Sequence, residues 1–145
     1  LSKENVQPLK RGRNPAALAA AVESRESKSQ AKLEDYRRKL RQEIDANRGE
    51  DPLELWCRYI SWLEQNYPSG VSGLRDVLEE ATQGLQNHPR FEAYKHDQRY
   101  LTLWIKYADL FKEPDEIFKF LQENNIGQEF HLFYVAYAVV SETRH

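Results

Sequence analysis

Apolar residues recur along this chain at three- and four-residue spacing and seldom alternate, which predicts helices throughout and no strands. Asn14-Pro15 reads as a helix cap followed by proline in the first turn, opening a short Ala-rich helix, ALAAAVESRES. From about Ser29 to Arg48, Leu33, Tyr36, Leu40 and Ile44 make one narrow helical stripe, closed by Gly49. Asp51-Pro52-Leu53-Glu54 offers a capping box for the next helix, which Tyr67-Pro68 stops. A partner helix carries Leu74, Val77, Leu78, Ala81 and Leu85 on one face and ends at Asn87-His88-Pro89. Three more helices follow: Asp97 to Lys112, Pro114 to Glu123, and Gln128 to Thr143 after the turn Asn124-Asn125-Ile126-Gly127.

An internal echo runs through the pattern. Leu53-x-Leu55-Trp56-x-x-Tyr59 recurs 48 residues later as Leu101-x-Leu103-Trp104-x-x-Tyr107, with a fainter copy in Phe133-Tyr134-x-x-Tyr137. The first two copies each open a helix–turn–helix pair, and repeats of this size point to a tetratricopeptide-like stack. The expected fold is therefore all-α, with an extended N-terminal arm and helix followed by stacked antiparallel helix pairs. The expected division is residues 1–14 as the arm, 15–48 as the Ala-rich and basic helices, and 49–145 as the repeat domain. The aromatics of the echo are expected in the core between helices.

Composition narrows the function classes. Three Trp, eight Tyr and six Phe supply large surfaces for burial in a chain of 145 residues. Cys57 stands alone, so no disulfide forms within the chain and a reducing compartment is expected. No apolar run approaches membrane-spanning length, and no signal peptide is read. The single Cys and the four His (His88, His96, His131, His145) lack metal-ligand spacing. Residues 1–48 carry twelve Lys/Arg against seven Asp/Glu, and residues 49–145 carry nine against sixteen. Because the basic third alternates in sign along residues 25–38, it reads as a solvated helix face, not a nucleic-acid arm. No nucleophile converges with a base, and no Gly-rich phosphate loop follows a strand. The expectation is a binding protein with no catalytic residues, no metal and no cofactor, and with neither nucleic acid nor membrane as partner.

The first fifteen residues, LSKENVQPLKRGRNP, have few aliphatics, two prolines and four cations, and cannot form a core. Within them Lys3-Glu4-Asn5 is a KEN tripeptide, the short degron read by the WD-repeat coactivators of the anaphase-promoting complex. Lys3 offers three donors, Glu4 acceptor oxygens, and Asn5 one of each. A pocket that matches all three gains specificity, because a mismatch leaves a buried group unpaired at about 1–3 kcal/mol. Val6 and Leu9 offer apolar anchors, although Leu9 could equally dock on its own helices, and Pro8 lowers the entropy lost on ordering. Lys10, Arg11 and Arg13 either touch an acidic partner surface or keep the arm soluble.

SKENVQPLKRGRN, the basic helix, DPLELWCRYISWLEQNYPSG and its echo LTLWIKYADL together resemble the N-terminal region of the BubR/Mad family of spindle-checkpoint proteins. The resemblance covers essentially the whole chain, and the KEN arm favours this branch over the related Bub kinases. It implies membership of the mitotic checkpoint complex, with a WD-repeat coactivator and a closed HORMA-domain protein as partners. The KEN arm would lie in a helix–loop–helix and occupy the coactivator as a pseudosubstrate, delaying anaphase by blocking ubiquitination. A kinetochore scaffold or Bub-type protein is the further partner implied, through short helical motifs on the outer helices. The implied location is nucleus and kinetochore, with a cytoplasmic pool. The chain reads as a fragment of a longer protein. Two alternatives stay open: a ligase substrate in which KEN is only a degron, and a generic repeat adaptor.

Overall fold

The computed structural model describes residues 14–47, 49–67 and 73–144. Seven helices lie among them: α1 Pro15–Ala46, α2 Pro52–Asn66, α3 Leu74–Gln86, α4 Phe91–Tyr94, α5 Gln98–Ala108, α6 Asp115–Glu123 and α7 His131–Arg144. The described residues contain no strand, as the periodicity predicted. The chain divides into two compact units, Leu1–Arg41 and Gln42–His145.

In the first unit, the Asn14 side chain accepts from the Ala17 amide at 2.7 Å, so the predicted cap forms. The sequence predicted two helices over this stretch, but α1 runs unbroken from Pro15 to Ala46. No Gly or Pro interrupts the ladder between them, and the polar run Ser24 to Gln30 is compatible with an exposed helix. Within the predicted stripe Leu40 is buried and Leu33 half-buried, while Tyr36 is exposed.

In the second unit, Asp51 caps α2 by accepting from Leu53 N at 3.1 Å, and Pro52 fills the first turn. Tyr67 is extended, as the residue before a proline must be. Helix α3 packs against both α2 and α5, and α5 packs in turn against α6 and α7. The eight echo positions, Leu53/Leu101, Leu55/Leu103, Trp56/Trp104 and Tyr59/Tyr107, are all buried, none more than 8% exposed. Tyr100, wholly buried, gathers Phe91, Tyr94 and Trp104 around its ring and donates to the Thr82 carbonyl at 2.8 Å. Phe118 stacks on Tyr137 at 5.0 Å with nearly parallel planes and meets Phe133 edge-on, which fastens α6 to α7. The outcome is a tetratricopeptide-like stack in which α2–α3 and α5–α6 are the paired helices.

Two helix boundaries and one short element differ from the sequence prediction. Helix α5 ends at Ala108 instead of Lys112, because beyond the Asp109 cap the amides turn back by three residues: Leu110 N to Tyr107 O and Phe111 N to Ala108 O, both 3.1 Å. Helix α7 starts at His131 instead of Gln128, because Phe130 N closes a turn on the Gly127 carbonyl. The single turn α4 was not predicted from sequence.

Candidate interaction surface

The sequence-predicted site residues, Lys3, Glu4, Asn5, Val6, Pro8, Leu9, Arg11 and Arg13, lie outside the described residues. The surface that the described residues do present begins with the helix that carries the second echo.

Trp104 and Tyr107 sit three residues apart on α5, so they share one helix face. Their inner sides complete the core, and their outer edges wall a cleft of about 450 Å³ between α3, α5 and α6. Phe120 from α6 lies 5.2 Å from the Trp104 ring, and Phe111 lies 4.9 Å from the Tyr107 ring. Arg75, from the first turn of α3, stands over the Phe111 ring at 4.4 Å. The Tyr107 phenol donates to Glu79 at 2.8 Å. Burial, then that carboxylate, pushes its pKa up to about 12, so it stays a donor at neutral pH. Gln83, Gln86 and Asn87 line the α3 side and Glu116 the α6 side. Leu110 is exposed just beyond the end of α5. An aromatic floor with amide and carboxylate rims suits an amphipathic peptide whose cations meet the rim. Sequence reasoning placed these aromatics in the core alone. No sequence signal marked a second role, since Phe111 fell inside the predicted helix Asp97 to Lys112.

A polar network joins the starts of α2 and α5. Arg99 donates to Asp51 at 3.0 Å, to Asp97 at 2.7 Å and to Glu54 at 3.2 Å. Tyr94 donates to Asp51 at 2.6 Å, which seats the α4 turn on the α2 cap. Burial alone would raise the Asp51 carboxyl, but hydrogen bonds from Tyr94, Arg99 and Leu53 hold it below its ordinary value. Hydrogen bonds from the Arg99 side chain outweigh burial at Asp97 and lower it too. The expected capping box is only half formed. Asp51 caps, whereas Glu54 turns its carboxylate to Arg99 and Arg58.

Two of the described histidines, His88 and His96, serve local structure. His88 Nδ1 accepts from the Arg90 amide at 3.0 Å, and His96 meets Glu129 at 2.8 Å. Burial pushes the Cys57 thiol up to about 11. Among the described residues no His, Cys, Asp and Glu side chains group as metal ligands, and no helix is long and apolar enough to cross a membrane.

Paired helices stacked on an aromatic core, with a peptide-sized cleft on their outer side, define a tetratricopeptide-like scaffold. The comparisons with known proteins make the assignment specific. The chain belongs to the Mad3/BUB1 homology region 1 family, which it matches over residues 35–145. It is 40% identical over 146 residues to the mitotic checkpoint serine/threonine-protein kinase BUB1 beta of Mus musculus, covering 99% of this chain and 14% of the mouse protein. It is 38% identical over 148 residues to the mitotic spindle checkpoint component mad3 of Schizosaccharomyces pombe, covering 99% of this chain and 47% of that protein. Its fold matches a chain in a crystal structure of a mitotic checkpoint complex with a TM-score of 0.72 and 36% identity, over 81% of this chain and 60% of that one. This chain thus spans less than half the length of these two relatives.

Proposed function

We propose that this chain serves the spindle assembly checkpoint by occupying a target instead of by catalysis. In this reading Lys3, Glu4 and Asn5 sit on the WD-repeat coactivator of the anaphase-promoting complex as a pseudosubstrate. The helical body orients the arm and touches a closed HORMA-domain protein. Several weak contacts made together slow release, as a bare degron could not. The chain acts in the nucleus and at kinetochores, with a cytoplasmic pool. The observation that carries the reading is the match to mad3, which takes in 99% of this chain and so reaches into the KEN arm.

The test compares the 145-residue chain with its Lys3→Ala/Glu4→Ala/Asn5→Ala form. Binding to the WD-repeat domain is measured with the closed HORMA partner present, alongside inhibition of substrate ubiquitination. A loss of more than about tenfold in both, with circular dichroism unchanged, is expected. Unchanged binding would assign the interaction to the helices and leave a generic adaptor. KEN-dependent ubiquitination of the chain itself, without inhibition, would make it a substrate.

The Trp104–Phe120 cleft supports a second, separable contact in the same reading. Its aromatic floor, with Glu116 on the α6 side, suits a short amphipathic helix from a kinetochore scaffold, with cations flanking its apolar face.

A further inference from the structure

The two walls of the Trp104–Phe120 cleft differ in charge. On the α6 side Glu116 lines it. On the α3 side the lining residues are the neutral amides Gln83, Gln86 and Asn87, and none of the α3 carboxylates Asp76, Glu79 and Glu80 is among them. The charge that this side adds is Arg75, whose guanidinium stands 4.4 Å from the centre of the Phe111 ring, itself part of the lining. Arg75 is exposed and forms no ion pair among the described residues. The carboxylate one turn further on, Glu79, is taken by the Tyr107 phenol at 2.8 Å. A cation in the first turn also opposes the dipole of its own helix, so the charge does not serve α3. A guanidinium over a ring keeps its edge donors free. Held on Phe111, Arg75 can take a carboxylate with less ordering than a fully solvated arginine.

Opposite charges on opposite walls have a geometric consequence. An amphipathic helix turns its apolar stripe to the aromatic floor and its two flanks to the two walls. Turning the helix end for end exchanges the flanks. A helix with one acidic and one basic flank therefore matches Arg75 and Glu116 in one direction and meets two like charges in the other.

We propose that the cleft is directional: it takes an amphipathic helix with a carboxylate on the flank towards α3, received by Arg75, and a cation on the flank towards α6, received by Glu116. This rests on the reading that the cleft receives such a helix, and adds the acid and the direction. Both charges are exposed, so neither contact is strong by itself. Lys119, 3.7 Å from Glu116, shares that carboxylate and leaves Arg75 the sharper selector.

The probe is a displayed library of amphipathic peptides about four helical turns long, with both flanks open to Asp, Lys or Ala, sorted on the whole chain. Peptides weakened by Phe120→Ala or Ile117→Ala, with circular dichroism of the chain unchanged, are cleft binders. They are expected to carry Asp on one flank and Lys on the other. Exchanging the flanks of such a peptide should weaken it at least about tenfold. Arg75→Glu should weaken the original peptide about tenfold, and Arg75→Glu with Glu116→Lys should bind the exchanged peptide in preference. Cleft binders that tolerate the exchange, or that ignore Arg75→Glu, overturn the proposal and leave the cleft a non-directional helix groove. If no peptide depends on Phe120 or Ile117, the cleft takes no helix, and the reading beneath the proposal falls with it.

Discussion

Arg99 reaches Asp51 across 48 residues of chain, an offset equal to that of the Leu-x-Leu-Trp-x-x-Tyr echo. The contact joins the cap of α2 to the first turn of α5, so the two copies of the repeat are held at their starts as well as along their cores. Asp97, the cap of α5, binds the same guanidinium. One cation therefore ties two helix caps, and the Tyr94 hydroxyl on Asp51 adds the α4 turn to the same knot.

Removing that cation tests its worth. The side chains of Arg99 and Asp51 are 40% and 33% exposed, so solvent screens the network. Arg99→Ala is expected to cost about 1 kcal/mol in urea unfolding, less in high salt. The pH dependence follows from Asp51 and Asp97, whose carboxyls both lie below their ordinary 3.8 when folded. As pH falls the unfolded chain takes up protons first, so this stabilisation is full above about pH 4 and is lost below it. In Arg99→Ala the loss of stability between about pH 5 and pH 2 becomes shallower. An equally steep acid limb in the variant would show that other carboxylates govern acid unfolding.

Two glycines make opposite predictions. Gly127 has φ +67°, and a Cβ there would lie 2.8 Å from the Leu101 side chain, itself locked in the core. Its amide also donates to the Lys95 carbonyl at 2.8 Å, so the turn cannot simply move. Gly127→Ala is expected to destabilise by about 2 kcal/mol or more. Gly84 sits within α3 with open space where a Cβ would be. Gly84→Ala should stabilise by about 0.5–1 kcal/mol, since alanine loses less backbone entropy in a helix. Thermal unfolding of the two variants against the parent chain reads both signs.

Cys57 should be a slow thiol. Its pKa of about 11 against an ordinary 9.0 cuts the thiolate fraction near pH 8 by about a hundredfold. Because a more basic thiolate is also the better nucleophile, a disulfide reagent is expected to label the folded chain about tenfold more slowly than the chain in urea. Equal rates would mean that α2 opens freely around this position.

The paired helices were legible because burial follows helical period. Leu53, Leu101 and their echoes lie where the 3.6-residue repeat sets them, and Asn14 and Asp51 cap because a short oxygen acceptor precedes a proline. The α4 turn was not legible, since FEAY has no period of its own and is held by Tyr94 on Asp51 and by Phe91 on Tyr100. The ends of α5 and α7 were misjudged because three-residue turns carry no sequence mark as strong as Gly or Pro. The Trp104–Phe120 cleft was hidden for a different reason: the same apolar letters serve a core and a groove, and only packing tells which edge stays open. The KEN arm was legible as a motif, and its residues fall outside those described.

The cleft and the core beside it can be separated by two substitutions. Phe118 is wholly buried, stacks on Tyr137 and meets Phe133 edge-on, so Phe118→Ala leaves a cavity between α6 and α7. About 3–5 kcal/mol of stability should be lost, with α7 amides exchanging first because their main anchor is gone. Glu116 lines the α6 side of the cleft with its side chain 86% exposed. Glu116→Lys should change stability by about 0.5 kcal/mol. If the cleft receives an amphipathic helix with flanking cations, the same change should weaken peptide binding about tenfold, because it sets like charges together. If the arm contact proposed for Lys3, Glu4 and Asn5 is a different one, binding that depends on those residues should be untouched. Loss of both activities in Glu116→Lys at unchanged stability would show that one surface serves both partners.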